Sequence, residues 1–517
     1  MGLFLGLDSS TQSLSAMVVD TDRGAVVLDE SVNFGKTLPQ YGSPQGFLPN
    51  ADPSIKHANP LMWVHALDVL LERLVQVGFD LGSIRGVSGA GQQHGSVYLR
   101  KPIADGWSTD APLHEQVQQI FSRSTAPIWM DSSTTEDCRA IAAAMGGEAE
   151  VVKVSGSRAI ERFTAAQIRR FHRLEPEAYE ATSEIQLVSS FLASLIAGKS
   201  VPIDHGDGAG MNLLELSTGA WSRALIEATA PGLGTKLLNP VPSTTQVGVV
   251  ADYFVKKYGF RPGTPLFAFT GDNPSSLVGM GATEPGTAVI SLGTSDTVFA
   301  AMREPRTDPR GFGHVFGNPA GGFMSLICFA NGSLAREAVK DRFGLSWQDF
   351  DRAIREETRP GNDGNAMLPF FVPEMTPKVA APKVELFGDT EFVAWRNPAA
   401  AVRAIVEAQA VSMKRHSDWI GEEPTSILVT GGASRNLGIL QIIADVFQAE
   451  LRALTVGNSS ALGGALRAAN AVEGTSFTAL AQTFAAPDPN LHVRPNPAAK
   501  AVYAELGARF AERLAAL

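Results

Sequence analysis

One aspartate in this chain stands where it could take a proton. It lies in TGDNPSSLVGMG, residues 270–281, directly after the strand-like run PLFAFTG, 265–271. In open α/β sheets the carboxyl ends of strands line the ligand crevice, so Asp272 is expected at its edge. A carboxylate there can orient a hydroxyl and accept its proton while a phosphoryl group moves onto the oxygen. Asn273 beside it can both donate to and accept from a polyol. The same residues also suit a helix start, with Asp272 as cap and Pro274 in the first turn. The two roles are compatible.

Phosphate chemistry needs its own device. GKT at 35–37 and GKS at 198–200 are not Walker loops, because Glu30 and Ala193 stand where that motif needs glycine. GAGQQHG, 89–95, begins like a dinucleotide fingerprint but has His94 in place of the third glycine. The device is expected in two hairpins. LFLGLDSSTQSLSAMVVD opens the chain, and AVISLGTSDTVFAA spans 288–301; each is a strand, a small polar turn and a strand. Such turns point backbone N–H groups and hydroxyls at one spot and can cradle an anion. Two of them across a cleft could hold a polyphosphate, with Asp8 placed to hold Mg²⁺, usually through water. Each alone reads rather as an ordinary hairpin; the pairing favours the cradle.

Other polar residues are weaker signals. TGGASRN, 430–436, is strand, double glycine and helix; its glycines would let a flat ring approach, and Asn436 could bond it. Trp347 could stack on a base or simply pack at an edge. His94 could be a satisfied structural histidine. Arg162, in GSRAIERFT, could grip a sugar hydroxyl or pair with a surface acid. WMDSSTT, 129–135, reads as a carbohydrate loop or a helix cap around Asp131. DHGDGAG, with Asp204, His205 and Asp207, reads as a plain loop, and no transition-metal site is expected.

These residues need a scaffold. A chain of 517 residues exceeds one ordinary core, so two large domains are expected. Short apolar strands ending in glycine alternate with helix-period segments, which reads as α/β. Helical faces run through 61–74, 437–447 and 502–517. The break between domains is expected near residue 250: 1–250, then 251–475, with a helical tail, 476–517, on the second domain. Residues 100–125 read as a surface insertion and 358–390 as a long loop. The paired hairpins suggest one large duplication. A net charge of −10 offers no general attraction to nucleic acid or anionic membrane. Two distant cysteines, Cys138 and Cys328, suit a reducing cytoplasm and a core role. No signal peptide or membrane span is expected. A homodimer is among the open oligomeric states.

GLDSSTQS, GAGQQHG, WMDSSTT, GSRAIERFT, FTGDNPSSL, SLGTSDT and LVTGGASRN together resemble the FGGY family of carbohydrate kinases, in the family's order, from about residue 3 to about 470. The likeness is closest to its eukaryotic-type branch acting on xylulose. It implies two actin-like, ribonuclease H-like domains with ATP and sugar between them, and transfer of phosphate from ATP to D-xylulose. It implies Asp272 as general base, with His94, Arg162, Asp272 and Asn273 on the ketose. It implies Trp347, Gly432, Ala433 and Asn436 at the adenosine, Thr11, Gly293 and Thr294 near the phosphates, and Asp8 with Mg²⁺. Many members of the wider family carry an arginine shortly after the Trp-x-Asp of the sugar loop, where this chain has Ser132 and Ser133. Rival readings are a sibling kinase for ribulose or glycerol and an actin-like ATPase scaffold.

Overall fold

The structure, a computed structural model, describes residues 2–455 and 457–517. Met1 and Val456, counted in the expected domains, lie outside them. Two seven-stranded sheets form the frame. In the first, Ala25–Asn33, Ser13–Asp20 and Leu3–Ser9 run antiparallel; Ile84–Gly91 and Pro265–Phe267 then lie parallel to Leu3–Ser9, and Gln246–Val249 closes the edge antiparallel. In the second, Phe323–Phe329, Asp296–Met302 and Thr287–Leu292 are antiparallel; Ser426–Thr430 and Glu450–Ala453 follow parallel, and His492–Val493 closes antiparallel. Order and direction repeat strand for strand. The second sheet adds one edge strand, His314–Gly317. This is a duplicated actin-like, ribonuclease H-like architecture, with both hairpins at equivalent places.

The first strand is buried along its whole length because both faces are covered. Leu5 and Leu7 pack with Met62, Leu67 and Leu70 of the helix Pro60–Gln76. Phe4, on the other face, packs with Ala461 and Leu462 of the helix Ser459–Glu473. That helix follows the strands of the second sheet in the chain, yet it lies on the first. Gly464 makes this approach: a Cβ there would stand 3.2 Å from the Gly6 Cα and 3.0 Å from the Gly89 Cα.

The expected domain limits are therefore corrected. Strands 246–249, 265–267 and 270–271 all belong to the first sheet, so the chain crosses over after residue 271 rather than near 250. The tail divides. Phe477, Leu480 and Phe484 join the cluster on the first sheet, whereas Tyr503, Leu506 and Phe510 join the core of the second. Residues 358–390 contain a hairpin, Ala366–Phe370 with Lys383–Phe387, packed on the helix Pro398–Ser417. The 100–125 segment is anchored through buried Leu113 and Val117, and Asp68 accepts the Leu113 N–H at 2.7 Å. Cys138 is buried and Cys328 half-buried, both free.

Candidate active site

Sheet register brings the chemistry together. Asp8 pairs with Ala90, which pairs with Thr270; Ser9 pairs with Gly91, which pairs with Gly271. Three adjacent parallel strands thus end on one line, and the next residues are the first turn, Gln92–His94 and Asp272. Gly271 must be small: a Cβ would lie 2.4 Å from the Gln93 Cγ. Asp272 opens the helix Asp272–Gly279, and Gly271, not Asp272, is its cap residue. The Asp272 Oδ1 accepts from the Asn273 backbone at 2.8 Å and from the Asn273 Nδ2 at 3.0 Å. The Asn273 Nδ2 also donates to the Gln93 Oε1 at 2.9 Å.

Burial raises the Asp272 carboxyl to about 6, and N–H bonds from Asn273, Gln93 and its own backbone restrain the rise. Burial, then the charge of Asp272, raises Asp8 to about 7. Among the described residues, the Asp8 Oδ1, both amide atoms of Gln92, the Gln93 Nε2 and the Thr270 Oγ1 are buried without a hydrogen-bond partner. Buried polar atoms are rarely left so; this group is what a ligand or water would satisfy.

His94 adopts φ 70°, a left-handed conformation that histidine tolerates better than most residues. Its Nδ1–H donates to the Gly210 carbonyl at 2.7 Å, which leaves Nε2 as an acceptor. Its ring stacks on Phe163 at 4.2 Å. Burial and the Arg162 charge lower it to about 3, so it is neutral. Arg162 forms no ion pair among the described residues. Its Nη2 meets the His314 Nε2 at 3.3 Å, so that nitrogen accepts and the His314 Nδ1–H faces the Ser157 Oγ at 3.2 Å. His314 stands on the edge strand of the second sheet, so this pocket is walled by both domains. The Arg162 charge is thus unpaired among the described residues.

Asp131 is already occupied. Its oxygens accept from the Lys56 backbone at 2.9 Å, the Ser133 Oγ at 2.6 Å and the Gln167 Nε2 at 2.8 Å. Burial pushes its carboxyl up, but bonds from His57, Ser133 and Gln167 outweigh that and hold it well below the usual range. Ser133 serves this fastening through both its backbone N–H and its hydroxyl. Trp129, 43% exposed, donates its Nε1–H to the Thr11 Oγ1 at 2.8 Å, which ties the loop to the first hairpin.

In the second domain, Trp347, Gly432, Ala433 and Asn436 line one cavity of about 770 Å³, a size that suits a nucleoside. Trp347 is 44% exposed and so is not a core residue. The Asn436 Oδ1 caps the helix Leu437–Phe447 through the Ile439 N–H at 2.9 Å, which frees its Nδ2. Gly431, at φ 91°, packs on the strand before the second turn; a Cβ would stand 2.5 Å from the Leu292 carbonyl oxygen. The Ser333 N–H, at the cavity wall, donates to the Gly293 carbonyl at 2.9 Å. Cavity and turn are thus adjoining. Thr294 is exposed at the tip. The helix that starts at Asp272 packs on the strand Asp296–Met302, which leaves this turn. The helix that carries Asp272 at its start thus reaches from the first sheet to the second.

Residues 3–279 match the N-terminal domain of the FGGY family of carbohydrate kinases, and residues 288–472 match its C-terminal domain. The chain belongs to that family. Xylulose kinase of Rattus norvegicus is 43% identical, covering 98% of this chain and 96% of that protein. Xylulose kinase of Mus musculus is 42% identical, covering 98% and 93%. The crystal structure of xylulose kinase from Rhodospirillum rubrum superposes with a TM-score of 0.84 at 20% identity, covering 100% of this chain and 99% of that one. The crossover after residue 271 agrees with the gap between the two matched domains.

Two features of this FGGY kinase were not legible from its sequence. Gln93 bonds Asn273, yet nothing in GAGQQHG marks it. DHGDGAG is not a plain loop: Asp204 caps a short helix, His205–Gly208, and carries Asp207 to the neighbourhood of Asp272. Among the described residues no group of three His, Cys, Asp or Glu side chains could hold a metal ion, and no helix is long and apolar enough to cross a membrane.

Proposed function

We propose that this protein transfers the γ-phosphoryl group of ATP to the primary hydroxyl of D-xylulose, giving D-xylulose 5-phosphate and ADP. The supporting observation is Asp272: a buried carboxylate beside Asn273, at the ends of three parallel strands, in register with the first polar turn. The names of the relatives, matched over nearly the whole chain, support the pentulose acceptor.

Asp272 takes the hydroxyl proton as the oxygen bonds to phosphorus and the bond to ADP breaks. Asn273 and the His94 Nε2 orient hydroxyls. Arg162 donates to sugar oxygens. The turns at Thr11 and at Gly293 and Thr294 offer N–H groups and hydroxyls to the phosphates. The base stacks on Trp347 against Gly432, Ala433 and Asn436. Asp8, with its unpartnered Oδ1, suits Mg²⁺ brought with the nucleotide, where the ion offsets phosphate charge.

The experiment is ADP release over a panel of ketoses and polyols. D-xylulose is expected to stimulate most; ribulose or glycerol stimulating more would replace the acceptor, and no stimulation by any would favour the scaffold. Trp347→Ala is expected to raise KM for ATP about tenfold, since stacking on a base is worth about 1–3 kcal/mol, with KM for D-xylulose unmoved. An equal rise in both would remove Trp347 from the base site. The base must be ionised, so kcat/KM is expected to fall as pH drops through about 6; a profile flat to pH 5 would contradict it.

A further inference from the structure

Asp207 is a buried carboxyl that the reaction above does not use. It is 0% exposed. Its Oδ2 accepts the Ser189 hydroxyl at 2.5 Å, and its Oδ1 has no partner. Its short helix is wedged against the catalytic strand: a Cβ on Gly206 would stand 2.3 Å from the Thr270 Oγ1. On the other side the helix meets the edge strand of the second sheet, where a Cβ on Gly317 would stand 2.8 Å from the His205 carbonyl carbon. The wedge therefore touches the strand that delivers Asp272 and the opposite domain together.

We infer that Asp207 is the neutral partner of Asp272: a protonated carboxylic acid that confines the single negative charge of the pair to the base. Two carboxyls in one poorly solvated site do not both ionise readily; the one with more N–H donors keeps the charge. Asp272 accepts from the backbone and side chain of Asn273 and from the backbone of Gln93. Asp207 has one hydroxyl and nothing on Oδ1. Of the other groups, Asp8 lies on the far side of the pair and is itself raised by burial and the Asp272 charge; the rest do not change the outcome. Asp204, on the same helix, adds a like charge but spends its oxygens on the N–H groups of Gly206 and Asp207 and on the Ser243 hydroxyl. His205 is held down by burial. His314, on the edge strand, is neutral and faces Arg162. Arg467, which feels Asp204, gives its guanidinium to the carbonyls of Ala268 and Gly89. Asp207 has no ion pair among the described residues. Burial, then Asp204, raises its carboxyl well above the usual range, with the Asp272 charge adding to the rise.

The consequence is electrostatic. With Asp207 neutral, an incoming phosphoryl group meets no carboxylate beyond Asp272 and Asp8, at the place where negative charge gathers. Asp207 is a positioning residue, acting through Asp272. The inference rests on Asp272 being the base.

The test is carbon-13 NMR of protein labelled at aspartate carboxyls, at pH 7, with Asp207→Asn used to assign the missing signal. A protonated carboxyl resonance is expected to vanish in the variant; loss of an ionised one overturns the inference. In turnover, Asp207→Asn should cost kcat no more than about tenfold, and Asp207→Ala more, because the Ser189 hydroxyl loses its acceptor. A loss in Asp207→Asn equal to that of Asp272→Asn, with unchanged near-ultraviolet circular dichroism, would also overturn it. If Asp272→Asn stays active, the base assignment fails, while the NMR result still reports the protonation of Asp207.

Discussion

Asp272→Asn is expected to lower kcat about 10³-fold, within the range for loss of a positioned base, while D-xylulose still binds. Asparagine preserves the shape of the site. Its side-chain oxygen can still accept from Asn273, and Gln93 keeps its bond to the Asn273 Nδ2. What disappears is the carboxylate proposed to remove the hydroxyl proton as the new bond to phosphorus forms. His94 cannot substitute, because its accepting nitrogen is held near pKa 3 by burial and Arg162. The loss should appear in single-turnover phosphoryl transfer, and isothermal titration should find sugar affinity changed by less than about tenfold. Turnover within tenfold of wild type would remove Asp272 from its role. The variant also relieves Asp8 of a neighbouring charge, so the Asp8 carboxyl should titrate lower.

Gly463→Ala is expected to be among the most damaging added methyl groups in the described residues. The helices Asp272–Gly279 and Ser459–Glu473 cross in backbone contact. A Cβ on Gly463 would lie 1.9 Å from the Ser275 carbonyl oxygen, and one on Gly279 would lie 1.9 Å from the Ser459 carbonyl oxygen. Neither obstacle is a flexible side chain, so the helices must separate. The cost is about 3 kcal/mol, at the upper end for overpacking, because the second helix also lies on Gly6 and Gly89. The displaced element starts with Asp272, so activity should fall with stability. Urea denaturation is the measurement, with Gly234→Ala as control; a Cβ there meets only Ile226 at 3.7 Å. Equal midpoints for the two variants would show that the crossing tolerates separation.

Much of the frame was legible along the chain because it is local. Strand 84–91 and helix 437–447 announced themselves through period and flanking glycine or asparagine. Hairpins 3–20 and 287–302 are set by their own turns, so both halves of the duplication could be read. The place of Asp272 was legible because Asp-Asn-Pro after a strand end starts a helix. The domain limits were not. Strands near 250–271 pair with strand 84–91, and the helix after residue 458 turns back onto the first sheet; such pairings depend on residues hundreds of positions away.

The same division holds within the site. The types of its residues were chosen by chemistry that shows in short motifs: carboxylate, amide, imidazole, glycine. Their states were settled only by neighbours that no motif contains. Gly210 sets the tautomer of His94, and His314, from the other domain, faces Arg162. Ser133 and Gln167 turn Asp131 into a fastener, and Asp207 comes within electrostatic reach of Asp272 on a helix too short to show periodicity. Local sequence governs backbone torsions and the groups a side chain carries; burial and charge act through space, so they exist only once the two sheets have closed on each other.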